Sequence, residues 1–83
     1  MEKNKIYNTI IKNSYEVLEG MEDENITGDN NFLEIGANSI DRAEIINLTL
    51  EDLELDVPRV GLAKANNINE LVDAIYENSN KKA

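Results

Sequence analysis

Apolar residues recur at helical spacing in three stretches of the chain, separated by clusters of Asn, Asp, Gly and Pro. In the first stretch, Ile6, Tyr7, Ile10, Ile11, Val17, Leu18 and Met21 line one side, and Ser14 leaves a small position among them. Asn8, Lys12, Asn13, Glu16 and Glu19 fall between as the polar face. Asn4 is the expected cap of this helix and Gly20 its expected stop. The second stretch runs from Ile40 to about Leu55. At helical pitch it sends Ile45, Ile46, Leu48, Thr49, Leu53 and Leu55 to the core, with Leu50 at the edge. Ile40, Ala43, Glu44, Asn47, Glu51 and Glu54 take the outer side, and Asp41 and Asp52 fit neither side well. In the third, Ile68, Leu71, Val72 and Ile75 make a clean stripe, started by the capping pair Asn67 and Glu70 and ending near Glu77 or Asn78.

The connections carry their own signals. Residues from about 20 to 38 form a long polar link, and Ile26, Phe32, Leu33 and Ile35 are expected to pin it to the core. A short turn is expected after Asp29-Asn30-Asn31. Val57-Pro58 ends the segment after the second helix and opens a short helix over residues 59–65, weakened by Gly61. No segment alternates apolar with polar residues, so no sheet is expected. The pattern predicts an all-α bundle of three longer helices and one short third helix, with a long first loop. One domain over residues 1–83 is expected, with residues 1–4 and 79–83 frayed.

Composition narrows the chemistry. The chain has no cysteine and no histidine, which excludes disulfides, thiolate zinc sites, cysteine nucleophiles and serine–histidine pairs within it. Self-contained catalysis is not expected. With 17 acidic and 8 basic residues the net charge is -9, so nucleic acid and anionic membranes are poor partners and basic protein surfaces good ones. Arg42 is the only basic residue between Lys12 and Arg59. No apolar run is long enough to span a bilayer and no signal-peptide core is present, which points to a cytoplasmic protein.

One spacing points to a metal. Asp23, Asn25, Thr27, Gly28, Asn31 and Glu34 occupy positions one, three, five, six, nine and twelve of a calcium-binding EF-hand loop. Asn30 stands where a paired EF-hand needs an aliphatic residue, Thr27 is a weak ligand, and Gly36-Ala37-Asn38 interrupts the exiting helix. No second copy exists to pair with it. No metal is therefore assigned, and a single EF-hand-like module from Asp23 to Glu34 stands as a remote alternative.

The stretch from Phe32 to Asp41 carries the other candidate. Gly36 allows a sharp bend, and Asn38 and Ser39 are both residue types that cap a helix. Ser39 has its hydroxyl near solvent at the positive end of a helix dipole, where an attached phosphate is tolerated. Capping alone also accounts for these residue types.

Ile35-Gly36-Ala37-Asn38-Ser39-Ile40, followed by Asp41, Glu44, Glu51-Asp52 and Val57-Pro58, resembles the acyl carrier protein family across nearly the whole chain. The resemblance implies that Ser39 receives 4'-phosphopantetheine from coenzyme A through a phosphopantetheinyl transferase. Acyl groups then ride as thioesters on the arm, which brings the thiol that the chain lacks. It also implies that Asn38, Ile40, Asp41, Arg42, Ala43, Glu44, Asn47 and Glu51 form the partner-recognition surface of a non-catalytic monomer. Asn38 replaces the family's usual aspartate, Asn47 a larger apolar residue, and Arg42 puts a positive charge in the recognition face. Asn38-Ser39-Ile40-Asp41-Arg42 is most similar to the stand-alone donor carriers of polyketide β-branching cassettes. Such carriers are malonylated by an acyltransferase, converted to the acetyl form by a decarboxylating ketosynthase, and presented to an HMG-synthase-like enzyme. A generic fatty-acid carrier or another polyketide or peptidyl carrier is the alternative.

Overall fold

The computed structural model describes residues 2–18, 25–62 and 64–80. Helix α1 spans Lys3–Val17, α2 Ser39–Asp52 and α3 Ile68–Asn80, and a single 3₁₀ turn covers Arg59–Gly61. Among the described residues there is no strand; one isolated antiparallel bridge joins Asn31 to Asn67. Helix α1 packs against both α2 and α3. Ile6 and Ile10 of α1, Ile45 and Ile46 of α2, and Ile68, Leu71, Val72 and Ile75 of α3 are buried together. The architecture is the expected helical bundle, with the third helix shortened to one turn. Pro58 sets its start, the Leu62 amide closes it on the Arg59 carbonyl at 3.0 Å, and fully buried Leu62 anchors it.

Helix α1 begins earlier than expected. Glu2 caps it without a side-chain hydrogen bond, and Asn4 lies inside the helix. Lys3 secures this first turn through an ion pair to Asp73 at 3.1 Å and a position over the Tyr76 ring. The helix closes at Val17 with the extended residue Leu18; Gly20 and Met21 lie outside the described residues. Asn13, expected on the polar face, is buried. It sits one turn from Ile10 and two from Ile6, so its position belongs to the core face although its side chain is polar. The amide is satisfied there, donating to Thr49 Oγ1 at 3.1 Å and Asp52 Oδ2 at 3.2 Å.

Helix α2 ends sooner than the pattern implied. Glu54 adopts the left-handed conformation at φ 54°. The Leu55 amide reaches back to the Leu50 carbonyl at 2.9 Å and the Glu54 amide to Glu51 at 3.1 Å, a Schellman closure. Leu50, one turn from buried Ile46 and Leu53, lies in the core, whereas Leu48 and Leu55 are half-buried. Asp52 is exposed but turned toward α1, where Lys12 lies 3.5 Å from its carboxylate.

The loop before α2 is fastened from both sides. The Ile26 amide donates to the Tyr15 hydroxyl at 3.0 Å and the Gly28 amide to the Tyr7 hydroxyl at 3.1 Å, both on α1. The Asn69 amide of α3 donates to the Gly28 carbonyl at 2.9 Å, and the Phe32 amide to the Asn66 carbonyl at 3.0 Å. Gly28 is required by this close approach: a Cβ there would lie 2.9 Å from Tyr7 Cε1 and collide with the Asn69 side chain. Phe32 is 1% exposed, and Ile26 and Ile35 are buried as expected, but Leu33 is 80% exposed. Residues 32–36 form one helical turn, so Phe32 and Ile35 share the inner side while Leu33, about 100° further round, faces out.

Candidate functional site

Ser39 is the first residue of α2, and the backbone that delivers it is specified residue by residue. Gly36 takes φ +80°. Its amide donates to the Leu33 carbonyl at 3.1 Å, and the Ala37 amide to the Phe32 carbonyl at 2.9 Å. The turn at residues 32–36 therefore closes as a Schellman motif, with buried Phe32 and Ala37 as its apolar contact. Asn38 follows as N-cap. Its Oδ1 accepts from the Asp41 amide at 2.8 Å, and the Asp41 carboxylate accepts from the Asn38 amide at 3.4 Å. This reciprocal capping box satisfies two helix-end donors and assigns the capping role to Asn38. The Ser39 side chain is exposed, and no hydrogen bond occupies its hydroxyl among the described residues.

A cleft of about 240 Å³ opens beside the serine, lined by Ser39, Arg42, Ala43, Ile46 and Arg59. Ala43 and Ile46 provide its apolar wall, and the side chains of Arg42 and Arg59 complete its lining. Arg42 Nη1 donates to the Ala65 carbonyl at 3.5 Å, and Arg59 Nε donates to Asn47 Oδ1. Arg42 and Asn47, read from sequence as points on an outward recognition face, are thus half-buried ties between α2 and the segment carrying the 3₁₀ turn. Arg59 was not among the sequence candidates. Its isolation as a basic residue after a long acidic span was the available signal.

The remaining candidates lie as the helical projection placed them. Glu44, Glu51, Ala43 and Ile40 are exposed on α2, and Ile40 is 77% exposed, matched among the large apolar side chains of the described residues only by Leu33. Leu33 and Ile40 lie on either side of Ser39 in the sequence, and Glu34, Glu44 and Glu51 are exposed as well.

The calcium-loop residues have other engagements. Glu34 Oε1 accepts from the Asn31 amide at 2.8 Å, Asn31 Oδ1 from the Leu33 amide at 2.9 Å, and Asn30 Oδ1 from the Thr27 amide at 2.8 Å. These bonds close local turns. Asp23 lies outside the described residues.

The site fits a phosphopantetheine arm. An exposed hydroxyl at a helix N-terminus favours an attached phosphate, and a cleft with an apolar wall of Ala43 and Ile46 adjoins it. No helix among the described residues is long and apolar enough to cross a membrane.

Comparison with known proteins agrees with this geometry. The family described as "Phosphopantetheine attachment site" matches residues 10–75. The polyketide biosynthesis acyl-carrier-protein AcpK of Bacillus subtilis (strain 168) is 40% identical over 77 residues, covering 93% of this chain and 94% of that protein. Among solved structures, a chain from the crystal structure of the curacin biosynthetic pathway HMG synthase in complex with acetyl donor-ACP superposes with a TM-score of 0.83 at 37% identity. The match covers 90% of this chain and 96% of that one. With the bundle, the capped serine-bearing helix and these matches in hand, the chain belongs to the phosphopantetheine-attachment family of acyl carrier proteins.

Proposed function

We propose that this protein carries acyl groups, malonyl and then acetyl, on a phosphopantetheine arm at Ser39, and presents acetyl to an HMG-synthase-like enzyme for polyketide β-branching. The observation that carries the assignment to Ser39 is its placement: an exposed hydroxyl at the first residue of α2, with Asn38 rather than Ser39 capping the helix. Support for the donor role comes from the likeness to the chain solved in the HMG synthase–acetyl donor-ACP complex and to the polyketide carrier of Bacillus subtilis.

Ser39 is the nucleophile of a reaction that another enzyme catalyses. Its Oγ bonds to the phosphorus that bears pantetheine in coenzyme A, the pyrophosphate linkage breaks, and adenosine 3',5'-bisphosphate leaves. The attached arm supplies the thiol that holds acyl groups as thioesters. The protein then serves as substrate and partner of a phosphopantetheinyl transferase, an acyltransferase, a decarboxylating ketosynthase and the HMG-synthase-like enzyme, in the cytoplasm. Ile40, Asp41, Ala43, Glu44 and Glu51 present an apolar contact fringed by acid to basic partner surfaces, and Asn38, Arg42 and Asn47 distinguish this carrier from a generic one.

Competition between donors tests the role. An HMG-synthase-like enzyme offered this carrier and a fatty-acid carrier, both acetyl-loaded, is expected to condense acetyl from this one preferentially. Equal use of the two would reduce the assignment to an acyl carrier without donor specificity.

A further inference from the structure

Leu33 is the most exposed large apolar side chain among the described residues, 80% open to solvent, and its own backbone holds it there. The Leu33 amide donates to Asn31 Oδ1 at 2.9 Å, and the Leu33 carbonyl accepts from the Gly36 amide at 3.1 Å. Its turn-mates Phe32 and Ile35 are buried, and the Phe32 amide donates to the Asn66 carbonyl at 3.0 Å. A leucine on so constrained a turn loses little backbone freedom when a partner covers it. The Ala37 amide donates to the Phe32 carbonyl at 2.9 Å, which folds the turn back on itself. Leu33 Cα therefore stands no more than about 15 Å from Ser39 Cα.

We propose that Leu33 is an anchor for the phosphopantetheinyl transferase, seated in an apolar socket of that enzyme beside a Lys or Arg. This rests on the reading of Ser39 as the attachment residue, and it adds a residue of the loop before α2 to the recognition face. The transferase differs from every later partner in one geometric respect. The arm is not yet in place, so the enzyme's own active site must reach Ser39 Oγ directly. Later partners meet the acyl group at the far end of the arm and need not centre on the serine. A stable protein interface covers about 800 Å² on each side, a patch roughly 16 Å in radius. Such a patch centred on Ser39 extends as far as Leu33. Ile40, next to Ser39 and 77% exposed, gives it a second apolar contact. Exposed Glu34 adjoins Leu33 and the net charge is -9, which fits a socket bordered by basic groups.

Steady-state kinetics of a phosphopantetheinyl transferase with coenzyme A and the unmodified protein test this, with product counted by intact mass. Leu33→Ser is expected to raise KM for the carrier about tenfold, the loss of one buried leucine contact, and to leave kcat unchanged. Leu33→Met keeps the apolar volume and is expected to restore most of the wild-type KM. Thermal melts of both variants are expected to overlay that of the wild type, which separates docking from folding. A Leu33→Ser KM equal to that of the wild type would overturn the anchor and leave Ser39 as the attachment residue. A fall in kcat alone would also overturn it, because the turn would then act by positioning the serine. Unchanged transferase kinetics with weaker binding to an HMG-synthase-like enzyme would move Leu33 to that partner and overturn the assignment made here. No mass gain in the wild-type protein would remove the attachment reading, and the anchor with it.

Discussion

The Asn13 side-chain amide donates to Thr49 Oγ1 at 3.1 Å, joining α1 to α2 through a buried hydrogen bond. The same amide reaches Asp52 Oδ2 at 3.2 Å. Removing it leaves the Thr49 hydroxyl buried with one partner fewer. Asn13→Ala is expected to lower unfolding free energy by about 1–3 kcal/mol, measured by chemical denaturation. A change within about 0.5 kcal/mol, the usual range for surface positions, would contradict this account of the interface.

Adjacent residues in the first loop are expected to behave in opposite ways. Phe32 is sealed in the core and Leu33 faces solvent. Phe32→Ala is expected to cost about 3–5 kcal/mol, whereas Leu33→Ala stays within about 0.5 kcal/mol. Thermal denaturation of the two variants side by side checks this, and a comparable loss at Leu33 would show that the turn at residues 32–36 is rotated.

The cap of α2 separates stability from recognition. Asn38→Ala removes the acceptor for the Asp41 amide and is expected to destabilise by about 1 kcal/mol. Asn38→Asp keeps the acceptor and adds a negative charge at a helix N-terminus, which is favourable by about 0.3–1 kcal/mol. The denaturation midpoint of the Asn38→Asp variant is therefore expected at or above that of the wild type, and that of Asn38→Ala below it. A less stable aspartate variant would mean that the asparagine is kept for folding rather than partner choice.

Much of this arrangement was legible in the sequence. The stripe of Ile68, Leu71, Val72 and Ile75 marks α3 because a single apolar face at helical spacing has few other uses, and all four are buried. Gly36, Asn38 and Ser39 could be read together because each position demands a particular residue type. The misplacements have local causes. Asn13 occupies a core position with a polar side chain, so polarity argued against its periodicity. Leu33 is apolar but exposed, because a single turn of helix decides which way it points. The end of α2 at Asp52 depends on Glu54 taking a left-handed conformation that glutamate seldom adopts. Arg59 joins the site through Asn47, twelve residues away, a pairing that only the tertiary fold creates.

The acidic face of α2 offers a test of docking that spares the fold. Glu44 and Glu51 are exposed, and no ion pair holds either of them among the described residues. Glu44→Lys and Glu51→Lys are expected to leave stability within about 0.5 kcal/mol while weakening association with the transferase and the HMG-synthase-like enzyme, most strongly at low salt. Binding measured at two ionic strengths checks this. Unchanged affinity for both variants would place the docking surface elsewhere.

The central claim is that Ser39 carries the arm, and intact mass after incubation with a phosphopantetheinyl transferase and coenzyme A tests it most directly. A gain of one phosphopantetheinyl group is expected in the wild-type protein and none in Ser39→Ala. A gain that survives Ser39→Ala, or no gain with any of several transferases, would contradict it.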